Sequence, residues 1–576
     1  MIPPFEKPSR VRVVIPALGL AAFLGVVGAR LYFIQIVRHH DLGTRAKTQY
    51  ERRIPVSSRR GTIYDRRGRA LAISLDVASV FAHPELVQDP ITTASRLAKV
   101  LKLPARKIQA KLRSDRPFVW IQRKVDLARA ESVAKLALPG VGLVPEGKRY
   151  YPKRNLAAHV IGFAGLDDQG LEGVELARDH LLAGGGRSFG GRVDALGRVV
   201  FREAEETRAG SDLYLTIDEV IQHVAERELD AAIQRSGAKS GTVIVVDPAT
   251  GEILALANVP SYDLNRYGSY PPAFRRNRAL TDPYEPGSAF KLILAAAALE
   301  EGRVKPEDLF HGEDGVIEVA GVKIRDHEKY GRMTFRDVVA FSSNVGAVKV
   351  GMKVGKDLFY NYITSFGFGL LTGVDLPGES PGLIRRPHDW SRVSIGALSI
   401  GHEISATPIQ LIAAGAAVAN GGYLMQPHVV KAVHYPDGRM EATKPLPVRR
   451  VISPQTAQTL ASMLTEVVQR GTGQAAALPD ILVAGKTGTA QKVDQSTGRY
   501  SRTKVVASFI GFVPAENPRV AILVLIDEPQ RFTWGGTVAA PAFGEIAREV
   551  LSYLETPNGQ AGQVARRPYE ASTTIN

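Results

Sequence analysis

Ser288 and Lys291 are the residues of this sequence whose types and spacing could do chemistry. They belong to the stretch SAFKLILAAAAL, which the pattern predicts as a helix that is apolar on nearly every side and therefore buried. Residues three apart share one helix face, so we expect the hydroxyl and the amine to be neighbours. Burial disfavours the charged form of a lysine. An uncharged amine beside a hydroxyl can take its proton, which activates the serine as a nucleophile.

A second interpretation keeps the helix but gives the lysine a structural role. A core lysine that is salt-bridged to a carboxylate fits the same pattern, and the local sequence does not separate the two interpretations. The serine-x-x-lysine spacing is also weak by itself, because it recurs at Ser132–Lys135, Ser236–Lys239 and Ser501–Lys504. In these three places the lysine can reach water, so a solvated surface is expected there.

Two further polar motifs follow along the chain. The first is SSN, Ser342 to Asn344, which is predicted as a turn between two helices because serine and asparagine favour caps and turns. The second is KTGT, Lys486 to Thr489, which is predicted as a strand whose glycine lets a ligand approach the backbone. Taken alone, SSN is more simply explained as a plain capping turn, and an exposed polar edge strand is the alternative explanation of KTGT.

Together and in this order, the three motifs resemble the signature of the penicillin-recognising serine acyltransferases. Ser343 stands where class A β-lactamases carry an aspartate. The chain further resembles class B penicillin-binding proteins, and their cell-division branch in its length, its SSN motif and its KTGTAQ. Ala289 departs from the commoner EPGSTFK at an unspecified position. The blocks that carry the resemblance are RGTIYDRRGRALA, RYYPKRNLAAHVIGFAG with GLEGVE, EPGSAFK, SIGHEISATPIQL, GKTGTAQ and GGTVAAPAF.

The resemblance implies an α+β fold. Its transpeptidase domain is expected to contain an antiparallel five-stranded sheet with helices on both sides and an all-helical subdomain. An elongated mixed α/β pedestal and a single transmembrane helix are expected before it. The implied divisions are a cytoplasmic tail (1–12), an anchor (13–37), a non-catalytic, dimerisation-type pedestal (38–208), the transpeptidase domain (209–555) and a disordered tail (556–576).

The implied reaction is D,D-transpeptidation of peptidoglycan stem peptides in two halves. A serine attacks the carbonyl between two terminal D-alanines, D-alanine leaves, and the amine of a second stem peptide resolves the acyl-enzyme. β-Lactams mimic the donor and trap the serine, and the resemblance implies no cofactor and no metal. The resemblance implies that Ser288 is the nucleophile, Lys291 the general base and Ser342 the proton relay, and that Asn344 holds the donor amide. Lys486 is expected to supply positive charge near both the substrate carboxylate and Lys291, while Thr487 and Thr489 bind that carboxylate and Gly488 allows close approach. The N–H groups of Ser288 and Thr489 are expected to form the oxyanion hole.

The apolar run from Val13 to Ala29 resumes after Arg30 and continues to Val37. Its length suffices for the roughly 30 Å hydrocarbon core of a bilayer. A cleaved signal peptide is the alternative, but cleavage after VGA would leave an apolar start. Basic residues flank both ends, so charge leaves the orientation open. The implied substrate lies outside the cytoplasmic membrane, which favours a short inner tail and an outer catalytic domain.

Composition excludes several other classes of chemistry. The chain of 576 residues contains no cysteine, which rules out disulfides, thiolate catalysis and cysteine-bound metals. His402 and Glu403 lack the second histidine of a zincin helix. The net charge of +15 fits either a solvated basic surface or an anionic partner. Because no zinc-finger spacing or aromatic ribonucleoprotein signature is present, nucleic acid is not an expected partner.

The expected partners are donor and acceptor stem peptides, β-lactams, the membrane through one helix, a membrane-embedded glycan polymerase and other division proteins. The expected place is the inner membrane at the division site. Three other functions remain open at this point: a serine β-lactamase, for which no ExxLN-type motif is found, a non-enzymatic β-lactam receptor or division scaffold, and an elongation or sporulation transpeptidase. No second catalytic domain fits in residues 39–208, so a monofunctional enzyme is expected.

Overall fold

The computed structural model describes residues 10–42, 51–56, 59–185, 187–193, 199–202, 209–494 and 496–556. The disordered tail predicted for 556–576 lies outside these residues except for its first position. Most of the predicted cytoplasmic tail (1–12) lies outside them as well.

The N-terminal apolar run forms a helix, Arg10–Tyr32, which continues as one turn of π-helix, Phe33–Val37. Its residues from Val14 to Val37 are exposed, although nearly all of them are apolar. Among the described residues this is the one helix that is long and apolar enough to cross a membrane. An exposed apolar helix of this length is stable in hydrocarbon and not in water, which supports the predicted anchor.

The chain divides into two compact units. The smaller unit consists of Met1–Ser58, Asp76–Glu146 and Gly185–Thr207. Part of its apolar core lies between three helices and the strand Val119–Val125, which pairs with the end of the strand Ala70–Ala82. The helices are Pro90–Leu101, Ala105–Leu112 and Leu127–Lys135, and a separate antiparallel sheet contains Glu51–Val56, Arg187–Val193 and Val199–Arg202.

The larger unit consists of Arg59–Leu75, Gly147–Gly184 and Arg208–Asn576. Two segments of the stretch 38–208 thus belong to the same unit as the three polar motifs. The boundaries predicted from sequence are contiguous and do not divide the chain in this way. Apolar residues of these segments, such as Leu71 and Phe163, share one core with the later part of the chain. A buried ion-pair network joins the two segments to each other, since Glu175 accepts hydrogen bonds from Arg60 at 2.5 Å and Arg149 at 2.6 Å. Arg60 also donates to Asp179 at 2.6 Å. All but Asp179 are buried, so removing one partner would strand a charge.

The centre of the larger unit is an antiparallel five-stranded sheet. Along the sheet the strands run in the order Ile253–Val259, Ser240–Val246, Val520–Asp527, Arg499–Val513 and Ala484–Asp494. The KTGT motif therefore lies on an edge strand, and every neighbouring pair of strands in the sheet is antiparallel.

Helices cover both faces of this sheet, as expected for the α+β class. Alternate residues of each strand point to opposite faces, so every strand supplies two cores. Glu219–Ser236 and Ala540–Glu555 pack on one face, and Lys291–Glu300 and Pro408–Ala419 pack on the other.

Around the helix Lys291–Glu300 the fold is mainly helical, with short two-stranded ribbons added. The helices are Phe335–Ala340, Asn344–Val354, Lys356–Ser365, Ser394–Ser399 and Pro454–Gln469; the ribbons pair Leu309–His311 with Arg332–Thr334, Val316–Val319 with Val322–Arg325, and Tyr423–Met425 with Pro447–Arg450. A further sheet contains Ile63–Tyr64, Asp212–Leu215, Val430–His434 and Met440–Ala442.

Substitution of Glu175 tests the ion-pair network. We expect Glu175→Ala to lower the free energy of unfolding by about 3–5 kcal/mol, because two buried guanidinium groups lose their carboxylate. Glu545→Ala is the matched control, since Glu545 forms an exposed pair with Arg548 and should change stability by less than about 1 kcal/mol. Thermal and denaturant unfolding of both variants measure this, and equal stability would show that the network does not hold these segments.

Candidate active site

Ser288 lies in a short 3₁₀ turn, Gly287–Phe290, that leads directly into the helix Lys291–Glu300. The helix begins three residues later than the sequence predicted. Every residue from Lys291 to Ala298 is buried, and the lysine itself is only 3 % exposed. Ser288 remains half-buried at the wall of a cleft. The predicted buried lysine behind an accessible serine is therefore present.

Lys291 makes its hydrogen bonds to the SSN motif. Its Nζ donates to the carbonyl oxygen of Ser342 at 2.6 Å and to Oδ1 of Asn344 at 2.7 Å, with Oγ of Ser342 at 3.3 Å. Burial lowers the pKa of Lys291 to about 7, although the carboxylate of Asp326 acts in the opposite direction. In the part of the chain that the structure describes, no salt bridge joins Lys291 to a carboxylate. This argues against the salt-bridged core lysine.

The structure corrects one detail of the sequence argument. Among the hydrogen bonds of the described residues, Lys291 makes none to Ser288, although the two share a helical face. Its amine donates instead to the carbonyl oxygen of Ser342 and to Oδ1 of Asn344. A hydrogen bond between base and nucleophile often tightens only once substrate is bound.

The SSN turn connects the helices Phe335–Ala340 and Asn344–Val354, as predicted. Ser343 caps the second helix, because its Oγ accepts from the N–H of Gly346 at 2.9 Å. Ser342 has a φ of +60°, a conformation that is strained for a residue other than glycine. The turn thereby directs both the carbonyl and the hydroxyl of Ser342 toward the lysine.

Asp326 is a residue of the cleft that sequence reasoning missed. Its carboxylate accepts hydrogen bonds from Oγ of Ser343 at 2.8 Å and from the N–H groups of Asn344 and Val345. The neighbouring Arg325 carbonyl accepts from Nδ2 of Asn344 at 2.7 Å. Asp326 therefore holds the turn from outside. Nothing in the short stretch IRDHEK indicates this contact, because Asp326 lies outside the SSN motif and reaches it only in the folded chain.

Lys486 is fully buried on the edge strand and also reaches Ser342. Its Nζ donates to Oγ of Ser342 at 2.8 Å and to the carbonyl oxygen of Thr487 at 3.2 Å. Burial, and then the charge on Lys291, lower the pKa of Lys486 well below its usual range. Because two ammonium groups within reach of one hydroxyl repel each other, the two lysines titrate as a coupled pair.

The remaining residues of the KTGT motif are packed against their neighbours. Thr487 shares a 2.6 Å hydrogen bond with Thr472, and Oγ1 of Thr489 accepts from the N–H of Gly535 at 3.1 Å. A methyl group on Gly488 would lie 2.4 Å from Oγ of Ser508 and 3.0 Å from the carbonyl oxygen of Pro286. A glycine is thus needed at this position because the segment before Ser288 and the next strand both pack directly against it. This requirement is separate from any approach of a ligand.

These residues share a cleft of about 710 Å³. Ser288, Ser342, Asn344, Thr487 and Thr489 line it, whereas Lys291 and Lys486 lie buried behind Ser342. The arrangement can activate a hydroxyl and place positive charge beside an anionic ligand. His402 and Trp534 also line the cleft, and no motif of the sequence analysis had assigned them.

Comparison with known proteins identifies the family. Residues 241–548 match the penicillin-binding protein transpeptidase domain, and residues 55–215 match the penicillin-binding protein dimerisation domain. The chain therefore belongs to the class B penicillin-binding proteins.

Two relatives and one solved structure illustrate the similarity. Stage V sporulation protein D of Bacillus subtilis is 36% identical over 93% of this chain and 84% of its own length. The peptidoglycan D,D-transpeptidase FtsI of Escherichia coli is 34% identical over 93% of this chain and 90% of its own. The crystal structure of penicillin-binding protein 3 of Mycobacterium tuberculosis with aztreonam is 30% identical, with a TM-score of 0.70, covering 88% of this chain and 98% of that one.

Substitution of Gly488 tests the close approach at the edge strand. Gly488→Ala should slow acylation of the protein by benzylpenicillin by about 10²-fold, because the strand must move away from Ser508 and the serine turn. The double variant Gly488→Ala with Ser508→Ala should recover part of this loss, since it removes the nearest clashing atom.

Gly331→Ala serves as the control, because no atom lies within 4 Å of its added methyl group. Stopped-flow acylation measures all three variants. Wild-type rates in Gly488→Ala would show that the close approach is not needed.

Proposed function

We propose that this protein is a monofunctional peptidoglycan D,D-transpeptidase that works through an acyl-Ser288 intermediate. The observation that carries the proposal is the meeting of two buried lysines, Lys291 and Lys486, at the hydroxyl of Ser342 beside a cleft that exposes Ser288. A buried pair of amines whose pKa values are lowered is suited to moving protons at neutral pH.

In the first half-reaction, Ser288 attacks the carbonyl between the terminal D-alanines of the donor peptide. Lys291 accepts the serine proton in its uncharged form. The bond to D-alanine breaks, and its amine takes a proton through Ser342, which lies between the two lysines. The backbone N–H groups of Ser288 and Thr489 stabilise the oxyanion, where one such donor is worth about 3 kcal/mol.

The donor peptide is held by the rest of the site. Asn344 binds its amide, and the side chain of Asn344 is already oriented by Lys291 and the carbonyl of Arg325. Thr487 and Thr489 bind the terminal carboxylate, and Lys486 supplies positive charge behind them. Gly488 brings the strand close enough to the serine turn for these groups to act together. In the second half-reaction, the amine of an acceptor stem peptide replaces Ser288 and forms the cross-link.

The proposed place of action is the outer face of the cytoplasmic membrane, during septal wall synthesis. The exposed apolar helix is proposed as a single anchor with a short inner tail, and a membrane-embedded glycan polymerase and other division proteins as partners. The length, the SSN motif and KTGTAQ support the division assignment. An elongation or sporulation role is the second candidate, because a relative named for stage V sporulation is 36% identical to this chain, against 34% for FtsI. A fluorescent fusion that decorates the side wall would exclude the septal role.

Mass spectrometry of the intact chain after benzylpenicillin tests the reaction. We expect one adduct on Ser288, none in Ser288→Ala, and stoichiometric rather than sustained consumption of nitrocefin. Growth and cross-linking that persist in Ser288→Ala cells lacking other copies would support a non-enzymatic receptor or scaffold. Sustained nitrocefin hydrolysis would support a β-lactamase.

The pH dependence of acylation tests the role of Lys291. Below pH about 7 its amine is protonated and cannot accept a proton, so the acylation rate should fall toward acid and reach a plateau above that pH. Lys291→Arg stays charged at all these pH values and should lose about 10²–10⁴-fold in rate.

The control is Lys239→Arg, which alters the largely exposed lysine of an unrelated serine-x-x-lysine stretch. A flat rate profile between pH 5.5 and 8.5, or rapid acylation of Lys291→Arg, would contradict the assignment.

A further inference from the structure

A loop of three residues, Gly401 to Glu403, is fastened to the turn that carries the nucleophile. The N–H of Gly287 donates to the carbonyl oxygen of Gly401 at 3.1 Å. Gly401 has a φ of +79°, and a methyl group added there would lie 2.0 Å from the carbonyl oxygen of Gly287. The loop and the serine turn therefore touch through their backbones, one residue away from Ser288.

The carboxylate of Glu285, two residues before that turn, contacts this loop. Its Oε1 accepts from the N–H of Glu403 at 3.0 Å and from the hydroxyl of Tyr500 at 3.0 Å. Its Oε2 is buried, accepts no hydrogen bond from the described residues, and lies 3.2 Å from Nδ1 of His402. Tyr500 comes from the strand that follows KTGT, and its ring packs edge-on against His402 with the centroids 4.9 Å apart.

The imidazole of His402 lines the cleft that also contains Ser288 and Asn344. Because a carboxylate can only accept hydrogen bonds, the charge of Glu285 beside Nδ1 of His402 favours the tautomer that carries the hydrogen on Nδ1. Nε2 is then the free acceptor. In the described part of the chain no protein group hydrogen-bonds to this nitrogen. Burial and the Glu285 carboxylate raise the pKa of Tyr500, which keeps that hydroxyl a neutral donor, and the carboxylate of Glu403 is bonded to Arg385 and Ser394 instead.

We propose that His402, oriented by Glu285, is the general base that deprotonates the acceptor amine in the second half-reaction. The inference rests on the proposed transpeptidase function. His402 lines the cleft but takes no part in the proposed acylation step. A carboxylate behind an imidazole is the arrangement that holds a histidine base in one tautomer and one orientation.

The proposed step balances in protons. An acceptor arrives as an ammonium ion, and Nε2 of His402 takes one proton to give the free amine. The amine nitrogen attacks the acyl carbonyl, the new C–N bond forms, and the bond to Oγ of Ser288 breaks. The second proton of the nitrogen passes through Ser342 and Lys291 to Oγ, which restores the serine. His402 releases its proton to solvent in the open cleft.

The test compares two acceptors with the full-length protein in detergent, using a thioester donor analogue. D-alanine is an acceptor that is an ammonium ion at neutral pH, whereas hydroxylamine is already uncharged there. With D-alanine, His402→Gln should lower the ratio of aminolysis to hydrolysis by at least about tenfold. With hydroxylamine the ratio should match that of the wild type, because no base is needed. The acylation rate should change much less than the ratio.

Two further variants distinguish an effect on the orientation of His402 from a general effect on the protein's structure. Glu285→Gln should lower the same ratio less than His402→Gln does, since the amide leaves the imidazole in place but weakens its orientation. His388→Gln is the matched control, because His388 is an exposed histidine outside the cleft and should leave both ratios unchanged. Formation of the penicillin adduct in each variant shows that the protein is folded.

Three results would overturn the inference. The first is an unchanged ratio with D-alanine in His402→Gln. The second is an equal loss with both acceptors, which would indicate that His402 only shapes the cleft. The third is the absence of any Ser288 adduct in the wild-type protein, which would remove the proposed function itself and is recognised before any acceptor is added.

Discussion

The structure depends on two buried lysine amines that both reach one serine hydroxyl. Lys291 and Lys486 are 3 % and 0 % exposed, and both lie within hydrogen-bond distance of Oγ of Ser342. Burial makes each charge costly, and their mutual repulsion makes two charges costlier still. The fold can accept this pair only by keeping at least one amine uncharged near neutral pH. That condition is what a proton-transfer site requires, so the same constraint governs stability and chemistry.

Several elements are arranged to keep the two lysines at Ser342. The helix Lys291–Glu300 is buried along its first turns, which leaves its lysine no route to water. Asp326 caps the SSN turn, and the positive φ of Ser342 points its carbonyl and hydroxyl inward. The edge strand then closes on the serine turn at Gly488, where no side chain fits. Each of these contacts joins segments that are far apart in the chain.

Gly287 shows how closely the nucleophile is confined. It has a φ of +55°, and a methyl group on it would lie 2.7 Å from the carbonyl oxygen of Thr489. On its other side, its N–H is bonded to Gly401. The residue before Ser288 is thus wedged between the KTGT strand and the loop of His402. Acyl transfer needs reacting groups that are placed to within about half an ångström, and a turn fixed from two sides satisfies this need.

Resemblance to a known family implied the sheet with helices on both faces. The sequence by itself determined the buried lysine one turn after a serine, the turn at SSN and the strand at KTGT. These follow from periodicity and turn propensity, which act over a few residues. Only the tertiary structure decided that Lys291 bonds to SSN rather than to Ser288, that Asp326 caps that turn, and that Glu285 lies beside His402. It also decided that Arg60 and Arg149 share Glu175, which joins two early segments to each other. The physical reason is that all of these contacts depend on the three-dimensional path of the backbone, which places segments together that no local pattern in the sequence relates.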